Sequence, residues 1–217
     1  MSWTITGAQP FPAVIGEPFG GGYFAGYISH TADGNATHAL IVAPAATGAT
    51  GTGYTLTDTL AQKTSNTSTT NADSLFDGVA NTNAMVAAGI DDHPAAKFCV
   101  ELNIGGYSDW YLPAFEELQV AYFNLKPSTD LNVTSIGASA YAVPPRTVNY
   151  SQTYPAQTYL SLFAGGAESF AVQTHHTSSE GSISSRTRFI SFVNGSTNLL
   201  SSKINLFNVR AFRRIAL

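Results

Sequence analysis

Apolar positions along the chain recur with period two near its ends and with helical spacing in its middle. Residues 22–28 (GYFAGYI) and 37–43 (THALIVA) are rich in aromatic and branched side chains. They flank Asp33-Gly34-Asn35, a strong hairpin signal. Residues 186–193 (RTRFISFV) predict another strand, Asn194-Gly195 a type I′ turn and residues 196–201 its return. Residues 205–215 (NLFNVRAFRRI) close the pattern, with Phe207, Val209, Ala211 and Ile215 at alternating positions. In the middle, Pro94 suits a first helical position, and Ala95, Phe98, Cys99 and Leu102 then fall at i, i+3, i+4 and i+7. A second helix is expected to begin near Pro113, to align Phe115, Leu118, Tyr122 and Leu125, and to stop before Pro127. A shorter one over residues 80–88 would end at Gly89. Helices in the middle with antiparallel strands at both ends predict an α+β domain.

The remaining segments read as connections. Residues 1–20, with Pro10, Pro12 and Pro18, read as an extended N-terminal arm, either a surface-lying leader or an attachment arm, ahead of a domain over residues 21–217. Residues 47–53 and 62–79 read as loops, and Pro144, Pro145 and Pro155 mark irregular connections. Glu116 and Glu117 stand in the first turns of a helix, where its dipole favours negative charge. Adjacent helical side chains do not converge on one atom, so both are expected to be solvated dipole partners, not an acid–base pair.

Composition narrows the function classes. Only 11% of the 217 residues are charged and the formal net charge is −4, so the polar surface must come from Ser, Thr, Asn, Gln and Gly. With 44% hydrophobic residues, disorder is excluded, and the acidic balance lacks the basic face of a general nucleic-acid binder. No stretch approaches 18 uninterrupted apolar residues, so no membrane insertion is expected. Met1-Ser2-Trp3-Thr4 does not open a charged and then apolar leader, so no signal peptide is expected. Cys99, the one cysteine, lies on the apolar face of its helix and reads as a buried thiol.

The candidate chemistry is thin. His175 and His176 are adjacent, so on a strand they point to opposite faces, and His30, His38 and His93 are scattered in sequence; no metal or cofactor is expected. Ser178-Ser179-Glu180 lacks a nucleophile elbow, and no phosphate-cradling glycine loop is present, so the expectation is a non-enzymatic protein.

One stretch carries a resemblance. Gly105-Gly106-Tyr107-Ser108-Asp109-Trp110-Tyr111-Leu112-Pro113, followed by Glu117, Leu118 and Tyr122, resembles the GYSDWYLPS…EL…Y signature of the Lcl C-terminal (DUF1566-type) family, a branch of the C-type lectin fold. Gly20–Gly26, Ala39–Pro44, His93–Cys99, Thr177–Glu180 and the ending around Arg210 and Arg213 are similar to other parts of phage-encoded members, so the likeness runs from about Gly20 onward. His176 departs from it, standing where the family usually has Trp. The resemblance implies two helices packed on twisted antiparallel sheets with long loops. It also implies a bacteriophage virion protein acting in host-surface recognition, as a tail-fibre or receptor-binding module, or as a capsid decoration protein. The alternative is a bacterial or prophage-derived surface adhesin binding glycans or peptides without calcium. Partners would be other virion proteins, a homo-oligomer such as a trimer, and a host-surface glycan or protein. The signature residues read as structural, and Arg210, Arg213 and Arg214 are expected to pair with Glu180 or Asp109. Candidate ligand or partner loops span residues 141–158, 173–185 and 194–203, with Tyr150, Tyr154, His175, His176, Glu180, Asn194 and Asn198 as their candidate contacts.

Overall fold

The structure, a computed structural model, describes residues 11–51, 59–183, 185–197 and 201–217. In chain order its elements are β1 (Pro18–Phe19), β2 (Gly22–Ile28), β3 (His38–Val42), α1 (Ala45–Gly48), β4 (Leu60–Ala61), α2 (Gly78–Gly89), α3 (Pro94–Val100), α4 (Phe115–Leu125), β5 (Ala142–Val143), β6 (Thr174–Glu180), β7 (Arg186–Ser191), β8 (Ser201–Ser202), β9 (Leu206–Phe207) and β10 (Phe212–Ala216). The chain is an α+β protein in which every strand pairing within the three sheets is antiparallel. The central sheet runs β1-β2-β3-β10, with β5 also on β2; β6-β7-β8 and β4-β9 form two smaller sheets.

β3 explains the unbroken apolar run at residues 39–43. Leu40 and Val42 enter one core, with α4, Phe170, Phe192 and Phe212. Ile41 and Ala43 enter a second core, with Met85 of α2, Ala95, Ala96 and Cys99 of α3, Trp110 and Ala211. Side chains alternate along a strand, so a strand covered on both faces must be apolar at every position. The same two-sided covering buries Cys99, and burial pushes its thiol up, out of the reactive range.

Local chemistry sets the element boundaries. α2 starts two residues earlier than its spacing predicts because the Asp77 carboxylate accepts from Ala80 N (2.8 Å). α4 begins at Phe115, not at Pro113, since Ala114 is still extended (ψ 166°) and serves as the N-cap. β2 is kinked by a register shift between Phe24 and Gly26. Gly26 has φ 134°, and a Cβ there would lie 2.6 Å from Asn124 Nδ2 and 2.8 Å from Val120 Cγ1, so this glycine lets α4 sit close against the sheet.

Two loop expectations are corrected. Residues 174–180 are not a loop but strand β6, buried from His175 to Glu180. The polar stretch 62–79 is threaded inward, with Gln62, Lys63, Thr69 and Ala72 buried. Of the N-terminal arm, residues 1–10 lie outside the described residues. The part beyond them folds back, because Gly16 and Glu17 bond to Phe24, Tyr27 Oη donates to Pro12 O (2.7 Å), and β1 pairs with β2.

Leu40→Ala and Ile41→Ala should each cost about 2–5 kcal/mol, as buried aliphatic truncations do. Urea unfolding of both variants measures this. A frame with one solvated face would show the loss for only one of them.

Candidate functional site

The signature stretch is a brace between the chain's last strand and its middle. Gly105 and Gly106 take φ 61° and 83°, which turns the chain so that Ile104 and Tyr107 exchange backbone hydrogen bonds (3.0 Å each). Trp110 is buried and its Nε1 donates to Tyr107 O (3.0 Å). Tyr111 bridges Phe212 of β10 through paired backbone bonds. Arg213 lies 3.8 Å over the Tyr107 ring and pairs with Asp109, as expected. Leu112, Pro113, Leu118 and Tyr122 are all buried, and Pro113 O accepts from Ser178 N (2.8 Å).

Glu116 and Glu117 are not solvated. The start of α4 is docked under residues 74–75 and β6, where Leu75 O accepts from Glu116 N (2.8 Å) and Ser179 Oγ from Phe115 N (3.0 Å). Glu117 is 0% exposed, and its oxygens accept from Tyr111 Oη and from Ala114 N (2.8 Å each). Burial raises its carboxyl to about 7 against the opposing pull of the Ala114 N–H and Arg214. Arg214 Nη1 sits 3.8 Å from Glu117, pairs with Asp77 (2.9 Å) and donates to His30 Nε2 (3.2 Å), whose ring lies on His38 (centroids 4.3 Å). Two histidines scattered in sequence are therefore brought together beside a guanidinium. Burial first, then Arg214, lowers His30 to about 4.

The other expected arginine pairings are redistributed. Arg210 meets neither Glu180 nor Asp109. Fully buried, it donates to Ala43 O (2.6 Å) and to Glu168 Oε2 (3.1 Å), and it lies 5.1 Å over Phe170. Glu180 is not a loop contact but the buried partner of Lys203, and it also accepts from Thr69 N (2.5 Å) and Ser68 Oγ (3.1 Å). His175 and His176 are interior as well, on opposite faces of β6. His175 packs on Phe170 and Phe192; His176 packs on Phe207 and points Nε2 at Leu60 O (2.9 Å) and Asn205 O (3.1 Å). Burial lowers them to about 3 and about 4. Where the resembled family has Trp, His176 still supplies a buried aromatic ring. Asn194 is half-buried in the turn after β7, and Asn198 lies outside the described residues.

Two of the candidate segments border concave surfaces: His175 and Arg210 line a pocket of about 280 Å³ with residues from the 165–172 stretch, and segment 141–154 forms a second one. With α4 and Tyr27 it walls a groove of about 310 Å³. Phe123 forms its floor, with Tyr150 stacked beside it (6.3 Å) and Tyr154 edge-on (5.3 Å). Tyr154 is 60% exposed, while Tyr150 is buried, a correction to its place among candidate contacts. The Tyr150 hydroxyl has no hydrogen-bond partner among the described residues, which costs a buried group about 1–3 kcal/mol. Asn124, Arg146 and Asn149 add polar edges. Among the described residues no group of three or more His, Cys, Asp or Glu could hold a metal ion. Sequence reasoning marked Tyr154 but missed Phe123, Asn124 and Arg146. The first two lie one and two positions past the core residue Tyr122 on α4, a phase that could have flagged an exposed aromatic rim.

No family model matches the chain, and no curated protein or solved structure matches it either.

Lys203→Met should cost about 3–5 kcal/mol by stranding the Glu180 carboxylate, and adding Glu180→Gln should restore most of it; thermal or urea unfolding of both variants checks this. All five imidazoles are held below their ordinary value, His38 and His93 included. The unfolded chain takes up those protons near pH 6.5 and the folded chain does not, so stability should fall as pH drops from about 6.5 toward 4. The raised carboxyls of Glu117 and Glu116 act in the opposite direction, but five imidazoles outnumber them. A urea midpoint that stays level or rises across that window contradicts this balance.

Proposed function

We propose that this chain is a non-enzymatic recognition module with a C-type-lectin-like frame, carried on a bacteriophage particle, that contacts a host-surface glycan through the groove of residues 141–154. The observation that carries the reading is the make-up of that groove. Its floor and rim are Phe123, Tyr150 and Tyr154, its edges are amides and one guanidinium, and its lining has no carboxylate, imidazole or thiol among the described residues. Aromatic faces with neutral hydrogen-bonding edges suit a sugar ring.

The frame supports the same reading. α4 packs on an antiparallel sheet in which the last strand returns beside the opening pair, and long connections are held outside it. The resemblance of residues 105–122 to the Lcl C-terminal signature points to that fold and to virion proteins. No helix of the described residues is long and apolar enough to cross a membrane. On a particle the partners would be other virion proteins and further copies of this chain, in a tail fibre or on the capsid surface.

Mass spectrometry of purified particles should detect the chain; its absence there ends the virion reading. On a panel of bacterial surface polysaccharides the protein should bind, and Tyr154→Ala should weaken binding roughly 10-fold or more while shifting stability by under about 0.5 kcal/mol. Presence on particles with a silent panel and a neutral Tyr154→Ala would assign the chain to decoration.

A further inference from the structure

We infer that the groove selects an acidic saccharide, with a sugar carboxylate set against Arg146 and a ring face set against Tyr154 and Phe123; this rests on the glycan-binding reading above. Arg146 is held in one orientation by the protein itself. Its Nε donates to Gly137 O (2.8 Å), its Nη2 donates to Gln119 Oε1 (2.7 Å), and its guanidinium lies 4.8 Å over the Phe123 ring. Both fixed contacts use neutral acceptors. Nη1 makes no hydrogen bond among the described residues, and Arg146 has no ion-pair partner there. The nearby Glu116 carboxylate attracts Arg146 through space, but it makes its hydrogen bond with Ser139 Oγ (2.6 Å) and does not line the groove.

The groove therefore presents a preoriented cation in a lining with no anion, on a chain whose formal net charge is −4. That local reversal of sign is charge complementarity to an anion, and a guanidinium with a free N–H edge is suited to a carboxylate. The rest of the lining decides what carries the anion. Tyr154 stands edge-on to Phe123 at the rim, exposed beside Asn149, and a volume of about 310 Å³ fits a single substituted ring at the low end of ligand sites. A neutral sugar would use the rings and leave the cation without a directly bonded anion; a simple carboxylate would use the cation and leave the rings uncovered. A uronic-acid type of sugar uses both.

The test compares methyl β-D-glucuronide with methyl β-D-glucoside, titrated into the full chain and followed by NMR at Arg146 Nε–H and the Tyr154 ring. The glucuronide should bind roughly 10-fold or more tightly than the glucoside, and added salt should narrow the gap. Arg146→Gln should abolish the difference. Because Arg146 also ties Gly137 to α4, Val148→Glu provides a second variant: 74% exposed on the groove rim, it should weaken the glucuronide alone and leave unfolding unchanged. Equal affinity for the two sugars, both shifting the groove signals, overturns the acidic selection and leaves the glycan reading standing. Acetate binding as tightly as the glucuronide also overturns it. Absence of groove shifts with either sugar sinks both.

Discussion

Irregular backbone can be buried only where its N–H and C=O groups find partners, and in this chain a small number of interior charges and amides supply them. Lys203 and Glu180 together meet Thr67 O, Thr69 N and Ser68 Oγ, drawing the 62–72 stretch inward. Glu168 and Arg210 meet Ala45 N and Ala43 O, fastening the 164–170 connection to the end of β3. Arg214, Asp77 and Glu117 join β10 to the starts of α2 and α4. A low charge content is thus not a bare surface alone; many of the charges present are inside. Such pairs add little net stability over apolar packing, but losing one partner strands the other, so they specify a single arrangement of the loops.

The groove inherits its rigidity from the same device. Lys126, buried just past α4, points its ammonium at Asp130 O, Asn132 Oδ1 and Pro155 O, and Tyr122 Oη donates to the same Asn132 oxygen (2.6 Å). The back of the 130–155 segment is thereby pinned to the helix whose next positions, Phe123 and Asn124, face the groove. Gly26 lets that helix approach the sheet. Aromatic floor, rim and cation are held in place by the protein's own contacts, so a ligand of the kind proposed above would meet a low ordering cost there.

Much of the frame was legible because its signals are local. β2 lies on its apolar run, α3 begins at Pro94, and Gly105-Gly106 turns where glycine is needed. Cys99 is interior because its neighbours at helical spacing are. What was not legible depends on tertiary covering. Glu116 and Glu117 sit where a helix dipole welcomes charge, and nothing within the helix reveals that residues 74–75 and β6 close over them. The stretch THHTSSE is polar enough to read as a loop, yet it is a buried strand in which the Thr177 and Ser179 hydroxyls and the His176 imidazole bond to carbonyls of other segments. Arginine pairing failed for Arg210 for the same reason: Glu168 lies in a connection with no periodicity to place it. Arg146 carried no sequence signal; only the fold sets it beside Phe123.

β10 has a consequence for how the molecule is made. It supplies Phe212 to one core, follows directly on Ala211 of the other, and holds Tyr111 from the far side of the sheet. During synthesis the helices and the opening hairpin leave the ribosome well before their covering strand. A nascent chain halted ahead of Arg210 would thus carry two half-built apolar faces, and neither core can close until residues 210–216 are available.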